Sequence, residues 1–200
     1  MELLNQPVDI SDDFSDPQHE YYLPGPVTQF DAARGEGLIR WYYHRWVHDW
    51  SFMKIGTHLK KFDRKEIFWH DQEVHPELQF SISFINDRTF RLRMKTTQSP
   101  QAEYPSLMLL HEPEKGGVWT FTDSAEKTLY ASAAGSITIH KEDWKLEIFD
   151  NAGELLTATQ GMDVLNALHH KNIPFLFTRR ATDHTRSMAA SFSLSPGEKI

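Results

Sequence analysis

The chain contains no cysteine among its 200 residues, so it can form neither a disulfide framework nor a cysteine-ligated metal site. It also lacks a basic surplus, because 28 acidic residues outnumber 21 lysines and arginines and give a net charge of −7. Nucleic-acid-binding proteins normally carry excess positive charge, so we expect no nucleic-acid partner. No apolar run approaches the roughly 18 residues of a membrane span, so we expect no membrane partner either.

The first residues, MELLNQPVDISDDFSD, are acidic and contain no basic stretch followed by an apolar run. They therefore do not resemble a signal peptide. A chain without cysteine suits a reducing compartment, and on this basis we expect a cytoplasmic location.

Aromatic residues are plentiful, with 13 phenylalanines and 6 tryptophans, and this content favours a folded core over disorder. Residues 1–35 differ from the rest because they hold several prolines and many acids. We predict that they form an extended amino-terminal arm, which is anchored to the body by Tyr21, Tyr22 and Leu23.

The next segment, residues 36–56, is predicted to be an amphipathic aromatic helix that ends at Gly56. Its apolar residues recur at helical spacing: Ile39, Tyr42, Tyr43, Trp46, Val47, Trp50 and Met53. Tryptophan, tyrosine and valine also favour strands. A strand, however, would place Tyr42, His44 and Trp46 on one side and mix polar with apolar residues there, so the helix fits the pattern better.

From residue 77 onward apolar and polar residues alternate, which is the period of a β-strand. Leu78–Phe84 and Phe90–Met94 are predicted to form a hairpin around the turn Asn86-Asp87. Its second strand carries an outward basic row that contains Arg91 and Arg93, which we expect to pair with acids across the sheet.

Further strands are predicted at Val118–Thr122 and Thr128–Ala133, followed by a three-stranded antiparallel meander within Ser136–Thr159. In the last part of the chain, Asp163 is predicted to cap a short helix, and strands are expected at residues 173–177 and 190–194. Residues 77–200 are thus predicted to be mainly β.

Three segments stand in an order that resembles a known family. They are FINDRTFRLRMKT (Phe84–Thr96), ITIHKEDWKLEIFDNAGELLTAT (Ile137–Thr159) with its D-x-x-G turn, and the ending SFSLSPGEKI (Ser191–Ile200). Together they resemble the N-terminal β-sandwich domain of glycoside hydrolase family 31, the α-glucosidase and α-xylosidase family. In that family a phrase like the last one runs directly into Tyr-Gly-x-Gly-Glu, which is not present here. Residues 1–76 take no part in the resemblance.

The resemblance implies a galactose-mutarotase-like supersandwich, so that residues 36–200 would form one β-sandwich domain. In the family this domain packs on a (β/α)8 barrel with two catalytic aspartates, and retaining hydrolysis needs two carboxylates about 5–5.5 Å apart. Neither aspartate motif is present, so the resemblance implies a chain truncated before its catalytic barrel. Accordingly we expect no catalytic residue, no metal and no cofactor in this chain. The carbohydrate, an α-glucoside or α-xyloside, would be bound through the intact enzyme, and no carbohydrate-binding residue is assigned.

His44 and His48 are candidate metal ligands. Their i, i+4 spacing on a helix is that of a metal site. The segment between them has no glutamate next to His44, and nothing supplies the third and fourth ligands, so chance pairing among 11 histidines is the better interpretation.

The other candidates have more ordinary interpretations. Tryptophans could stack on sugars but more often pack in cores, and adjacent carboxylates in turns usually face solvent. Two adjacent histidines are most simply the end of a short helix, where a cation is mildly favoured. Two serines near the end lack the G-x-S-x-G context of a nucleophile. These residues are Trp41, Trp46, Trp50, Trp69, Asp12, Asp13, Glu142, Asp143, His169, His170, Ser191 and Ser193.

Three functions stay open at this point. The first is a non-catalytic domain of a family 31 α-glycosidase, and the second is a stand-alone carbohydrate-binding or lectin-like module. The third is an interaction domain that docks a partner on the segment Ile39–Met53. An incomplete sandwich would also have open sheet edges, which predicts a homo-oligomer.

Overall fold

A computed structural model describes residues 19–51, 54–61, 75–99, 116–159, 175–180, 185–189 and 192. These residues form twelve strands, and no helix occurs among them. The strands are β1 Glu20–Asp31, β2 Glu36–Ser51, β3 Lys54–Lys61, β4 Glu77–Asn86, β5 Thr89–Met94, β6 Thr120–Asp123, β7 Lys127–Ser132, β8 Gly135–His140, β9 Lys145–Asp150, β10 Leu155–Ala158, β11 Leu176–Arg179 and β12 Arg186–Ala189. The described part of the chain contains no helix that is long and apolar enough to cross a membrane.

The strands form two sheets in which every described pairing is antiparallel. Sheet A has the order β12-β11-β1-β2-β4-β5, and β3 pairs with the second half of β2. Sheet B has the order β10-β9-β8-β7-β6, in which each strand pairs with its neighbour in sequence.

The core lies between the two sheets. Sheet A contributes Trp41 and Phe80, sheet B contributes Ile139 and Leu146, and all four side chains are buried. Trp144, in the turn between β8 and β9, lies with its ring centroid 6.4 Å from that of Phe80. Packing of two antiparallel sheets face to face defines a sandwich, so the predicted mainly β, antiparallel sandwich is confirmed.

The predicted helix over residues 36–56 is wrong, because Glu36–Ser51 is strand β2. Ile39, Trp41 and Tyr43 form one row of this strand and face the core. His44 belongs to the opposite row and is nevertheless only 5% exposed. The row of His44 also contains Arg40, which is exposed, and the aromatic Tyr42, so the sequence does not show the alternation of a half-buried strand. Pairing with β1, β3 and β4 and the strand propensity of Trp, Tyr and Val outweigh the accidental helical spacing.

The segment Glu20–Asp31, which the sequence placed in an arm, is strand β1 in the interior of sheet A, between β11 and β2. Tyr21, Tyr22 and Leu23 are buried and anchor it as predicted. Residues 1–18 of the predicted arm lie outside the described residues.

A bulge in β1 joins the two sheets. The register of β1 against β2 shifts between Pro24 and Val27 and again before Gln29. Within the bulge, the carbonyl of Gly25 accepts a 2.8 Å hydrogen bond from the amide of Trp144, and the amide of Val27 donates one of 2.8 Å to the carbonyl of Lys141. The irregular backbone of β1 is thereby satisfied by the turn between β8 and β9.

Gly37 lets two aromatic rings stack across the middle of sheet A. It lies opposite Phe30 on β1 and opposite Phe80 on β4. The two rings stack over it at a centroid distance of 5.2 Å and an angle of 10°. A Cβ at this position would lie 2.5 Å from the carbonyl oxygen of Gln29, so only glycine fits without a shift of the backbone.

More of the strand predictions after residue 77 are confirmed. The hairpin is confirmed as β4 and β5, but its turn is Asp87-Arg88 rather than Asn86-Asp87, because Asn86 pairs with Thr89. The meander is confirmed as β8, β9 and β10. The strand predicted at 173–177 overlaps the observed strand Leu176–Arg179, and residues 173 and 174 lie outside the described residues. The predicted helix after Asp163 lies outside the described residues, as does most of the predicted strand at 190–194, of which Phe192 bridges to Thr159.

Candidate functional site

His44, half of the suspected metal pair, is a buried residue of β2. Its Nδ1 lies 2.8 Å from the carbonyl oxygen of Tyr42. Burial lowers the pKa of His44 and outweighs that backbone hydrogen bond. Cα atoms four residues apart on a strand are about 13 Å apart, so the spacing that suits a metal on a helix does not bring His44 and His48 together here. Within the described ranges no three His, Asp or Glu residues are grouped so that they could hold a metal ion.

Trp41 is 1% exposed and packs on Phe175 and Phe177 in the core, so it offers no face to a sugar. Trp46 and Trp50 belong to β2, but their side chains lie outside the described residues, as does all of Trp69. The proposed docking segment Ile39–Met53 likewise turns the side chains of Ile39, Trp41 and Tyr43 into the core, so this half of it presents no stripe to a partner.

The remaining candidates are scattered. Glu142 and Asp143 are exposed in the turn between β8 and β9. The residues directly opposite Arg91 and Arg93 on β4 are Ser83 and Ser81. Asp12, Asp13, His169, His170, Ser191 and Ser193 lie outside the described residues.

A half-buried ion pair connects β1 and β11 at one end of sheet A. Arg179 on β11 donates a hydrogen bond of 3.2 Å to Oε2 of Glu20 on β1, and the hydroxyl of Tyr22 donates one of 3.1 Å to the same oxygen. Burial, followed by the charge of Glu20, raises the pKa of Tyr22. Burial also raises the pKa of Tyr43 to about 12, although the positive charge of Arg45 opposes the shift. Both phenols therefore stay protonated at neutral pH, and that of Tyr22 serves as a donor to Glu20.

A second polar cluster lies at the edge of sheet B. Asp123 on β6 accepts hydrogen bonds from the hydroxyl of Thr128 and, at 2.8 Å, from Nζ of Lys141. Burial alone would raise the pKa of Asp123, but these hydrogen bonds and the charge of Lys141 outweigh it and lower the pKa. Lys141 also donates to the carbonyl of Ser124 at 2.8 Å, so the cluster fixes the turn between β6 and β7.

A third cluster stands on the outer face of sheet B. Leu146 and Ile148 face the core, so Lys145, Glu147 and Phe149 alternate to the other side of β9. Nζ of Lys145 donates to Oε1 of Glu147 at 2.6 Å, and Nε2 of His140 lies 2.8 Å from Oε2 of the same carboxylate.

The carboxylate of Glu147 is therefore held at both oxygens. Burial by itself would raise its pKa, but the hydrogen bonds from Lys145 and His140 and their charges lower it. Because a carboxylate only accepts hydrogen bonds, His140 must carry its proton on Nε2 in this contact. The side chains of His140 and Lys145 are 37% and 47% exposed, so solvent molecules and solutes reach this cluster.

The edge strand β6 is the most exposed strand for which burial is known along its whole length, since all four residues are exposed. Val118, just before it, is 77% exposed, and Phe121 within it is 48% exposed. Phe121 shares a face with Tyr130, at a ring distance of 6.1 Å. The only charged residue of β6 is Asp123, which is already bound by Lys141.

Of these clusters, only the one on the outer face of sheet B has a signal in the sequence. The meander was predicted, and its pairing sets His140 opposite Lys145 and Thr138 opposite Glu147. Glu20 and Arg179 are separated by 159 residues, and no local pattern connects them.

The protein family described as the glycosyl hydrolase 31 N-terminal galactose mutarotase-like domain matches residues 79–200 of this chain. No curated protein matches the chain. Solved structures with similarity include an uncharacterized protein, lmo2446, from Listeria monocytogenes EGD-e, with 16% identity, a TM-score of 0.43, and coverage of 82% of this chain and 11% of that chain.

The same values hold for that protein in complex with α-D-glucose, β-D-glucose, magnesium and calcium. They also hold for the cycloalternan-forming enzyme from Listeria monocytogenes in complex with a pentasaccharide substrate. This chain thus spans about a tenth of the length of these structures, 11% in each case.

Proposed function

Because the chain belongs to the family of glycosyl hydrolase 31 N-terminal galactose mutarotase-like domains, we propose that it is the non-catalytic N-terminal domain of an α-glycosidase, either an α-glucosidase or an α-xylosidase. The observation on which the proposal depends is the family match over residues 79–200. In this role the sandwich supports a separate (β/α)8 barrel, and that barrel binds the sugar and cleaves the α-glycosidic bond.

The carboxylates described above support a role without catalysis. Retaining hydrolysis uses two carboxyl groups about 5–5.5 Å apart, one of which has a raised pKa and acts as the general acid. The pKa values of Asp123 and Glu147 are shifted in the opposite direction. Glu20 and Glu77 are each bound by an arginine, so neither is poised as a nucleophile.

The test is hydrolysis of 4-nitrophenyl α-D-glucopyranoside and α-D-xylopyranoside by the purified chain. We expect no release of 4-nitrophenol above the rate in buffer. Activity that co-elutes with the chain through two unrelated columns would overturn the non-catalytic assignment. Separately, the genomic sequence beyond codon 200 should encode a barrel with two catalytic aspartates, and a stop codon with no barrel downstream would refute the proposed parent enzyme.

Two further properties are proposed with this function. The first is a cytoplasmic location, supported by the lack of cysteine. Recovery of the protein from the culture medium rather than from the soluble cell extract would contradict it.

The second is self-association of this chain through β6, with one copy pairing antiparallel to another. An exposed edge strand offers unpaired backbone groups to a second strand, and charged residues normally discourage such contacts. In β6 the residues Thr120–Thr122 are uncharged and the charge of Asp123 is compensated by Lys141. An antiparallel pair centred between Phe121 and Thr122 is two-fold symmetric, so each copy offers the other an identical partner.

A further inference from the structure

We propose that the outer face of sheet B binds a neutral hexopyranose unit at the outer patch, defined as His140, Lys145, Glu147 and Phe149. This site belongs to the sandwich itself and does not require the barrel of the proposed function. Binding sites for small molecules combine apolar or aromatic surface with a few fixed polar groups, and the outer patch contains both.

The aromatic part is Phe149. It lies on β9 two residues beyond Glu147, on the same face, so the two side chains start about 7 Å apart along the strand. Ile148 packs against the core cluster, whereas the half-buried Phe149 points to the other side of the sheet. The axial C–H groups of a pyranose form an apolar face, which an aromatic ring can cover while the hydroxyl groups reach the neighbouring polar side chains.

The polar part is the carboxylate of Glu147 with its two donors. Each of its oxygens accepts one hydrogen bond, from Lys145 or from His140, and keeps a further lone pair that can accept one from a sugar hydroxyl. Lys145 keeps additional N–H donors that can reach the oxygens of a sugar. The three side chains are ordered by one another before any ligand arrives, which lowers the entropic cost of binding.

The charge of the outer patch selects among polar ligands. The ammonium of Lys145 compensates the carboxylate of Glu147 at 2.6 Å, so neither an anionic nor a cationic ligand gains from an uncompensated charge. A ligand with many neutral donors and acceptors matches this arrangement, and that is the chemistry of a hexopyranose rather than of a sugar phosphate.

The experiment is a titration of the ¹⁵N-labelled 200-residue chain with methyl α-D-glucopyranoside, followed by amide chemical shifts. We expect saturable shifts confined to β8 and β9. Glu147→Gln keeps the shape of the side chain but removes its charge, and Phe149→Ala removes the ring. Each should weaken binding roughly tenfold, as expected for the loss of a charged hydrogen-bond acceptor or of an aromatic contact.

Matched controls are Glu142→Gln, an exposed carboxylate in the neighbouring turn, and Met188→Ala, an exposed apolar side chain of sheet A. Both should bind the sugar like the unchanged chain. The proposal is wrong if no saturable shift appears at the solubility limit of the sugar, or if shifts arise elsewhere. It is equally wrong if the two patch variants bind unchanged, or if glucose 6-phosphate binds more tightly. The titration does not depend on hydrolysis, so a failure of the sugar-binding proposal can be distinguished from a failure of the domain assignment.

Discussion

Replacing Gly37 by alanine should destabilise the sandwich, although alanine is the smallest possible addition. The new Cβ would lie 2.5 Å from the carbonyl oxygen of Gln29, 2.6 Å from Cε1 of Phe80 and 2.8 Å from Cδ2 of Phe30. Real Cβ atoms do not approach other heavy atoms so closely, so the β1 backbone and both stacked rings must shift. The position is in the middle of sheet A, between β1 and β4, where neighbouring strands restrict such shifts.

The expected loss follows from two opposing effects. Overpacking of a well-packed core costs about 1–3 kcal/mol. Alanine restricts the unfolded chain more than glycine does, which returns about 0.4–1 kcal/mol. With values from the middle of both ranges, the net decrease in the free energy of unfolding is about 1–2 kcal/mol. For a chain of this size each kcal/mol lowers Tm by about 2–4 °C, so Tm should fall by about 2–8 °C.

Urea unfolding and thermal melting followed by circular dichroism measure this loss. Gly116→Ala is the matched control. Among the described residues its Cβ would meet only the carbonyl oxygen of Ile85, at 3.2 Å, and it should change stability by no more than about 0.5 kcal/mol. Adding Phe30→Ala removes one of the two rings, so the double variant should lose less than the sum of the single variants. A Gly37→Ala protein as stable as the original would refute the steric argument.

Two further predictions concern acid stability and assembly. The folded-state pKa of Asp123 is depressed, so its stabilising contribution is present above the usual aspartate pKa and is lost as the pH falls through the folded value. The difference in urea midpoint between the original chain and Asp123→Asn should therefore be larger at pH 7 than at about pH 3, and an equal difference at both would contradict the assigned shift. For β6, sedimentation velocity should show concentration-dependent association that Thr122→Lys abolishes and Asn151→Lys, at an exposed turn, does not. A monomer at every concentration would exclude pairing of β6.

Strands could be predicted from the sequence where one row of side chains is mostly apolar and the other mostly polar. In β8 and β9, Ile137, Ile139, Leu146 and Ile148 face the core, and most of their neighbours are polar and turn outward, so the alternation is visible in the sequence. In β2 the row opposite the core mixes the aromatic Tyr42 with Arg40 and His44, so the period of two is lost. The helical spacing of aromatic residues there was a coincidence that only the strand pairings could expose.

The polar clusters also show that the sequence predicts local contacts but not contacts between distant segments. The contacts of Glu147 with Lys145 and His140 follow from a local meander, so the predicted register already contained them. Glu20 and Arg179 form a pair because β1 and β11 are neighbours in sheet A. Which strands become neighbours depends on the topology of the whole sheet. Residues that meet only through the fold leave no periodic pattern, so no inspection of the sequence could have joined them.

The location of β1 between β2 and β11 has a consequence for synthesis of the protein on the ribosome. Tyr22 on β1 is synthesised early, but its partner Phe177 on β11 is synthesised only near the end of the chain. At translation rates of about 5–20 residues per second, that delay is roughly 8–30 s, far longer than a hairpin needs to form. Throughout it, nascent β1 and β2 expose a row of tyrosines and a tryptophan to chaperones and to other nascent chains.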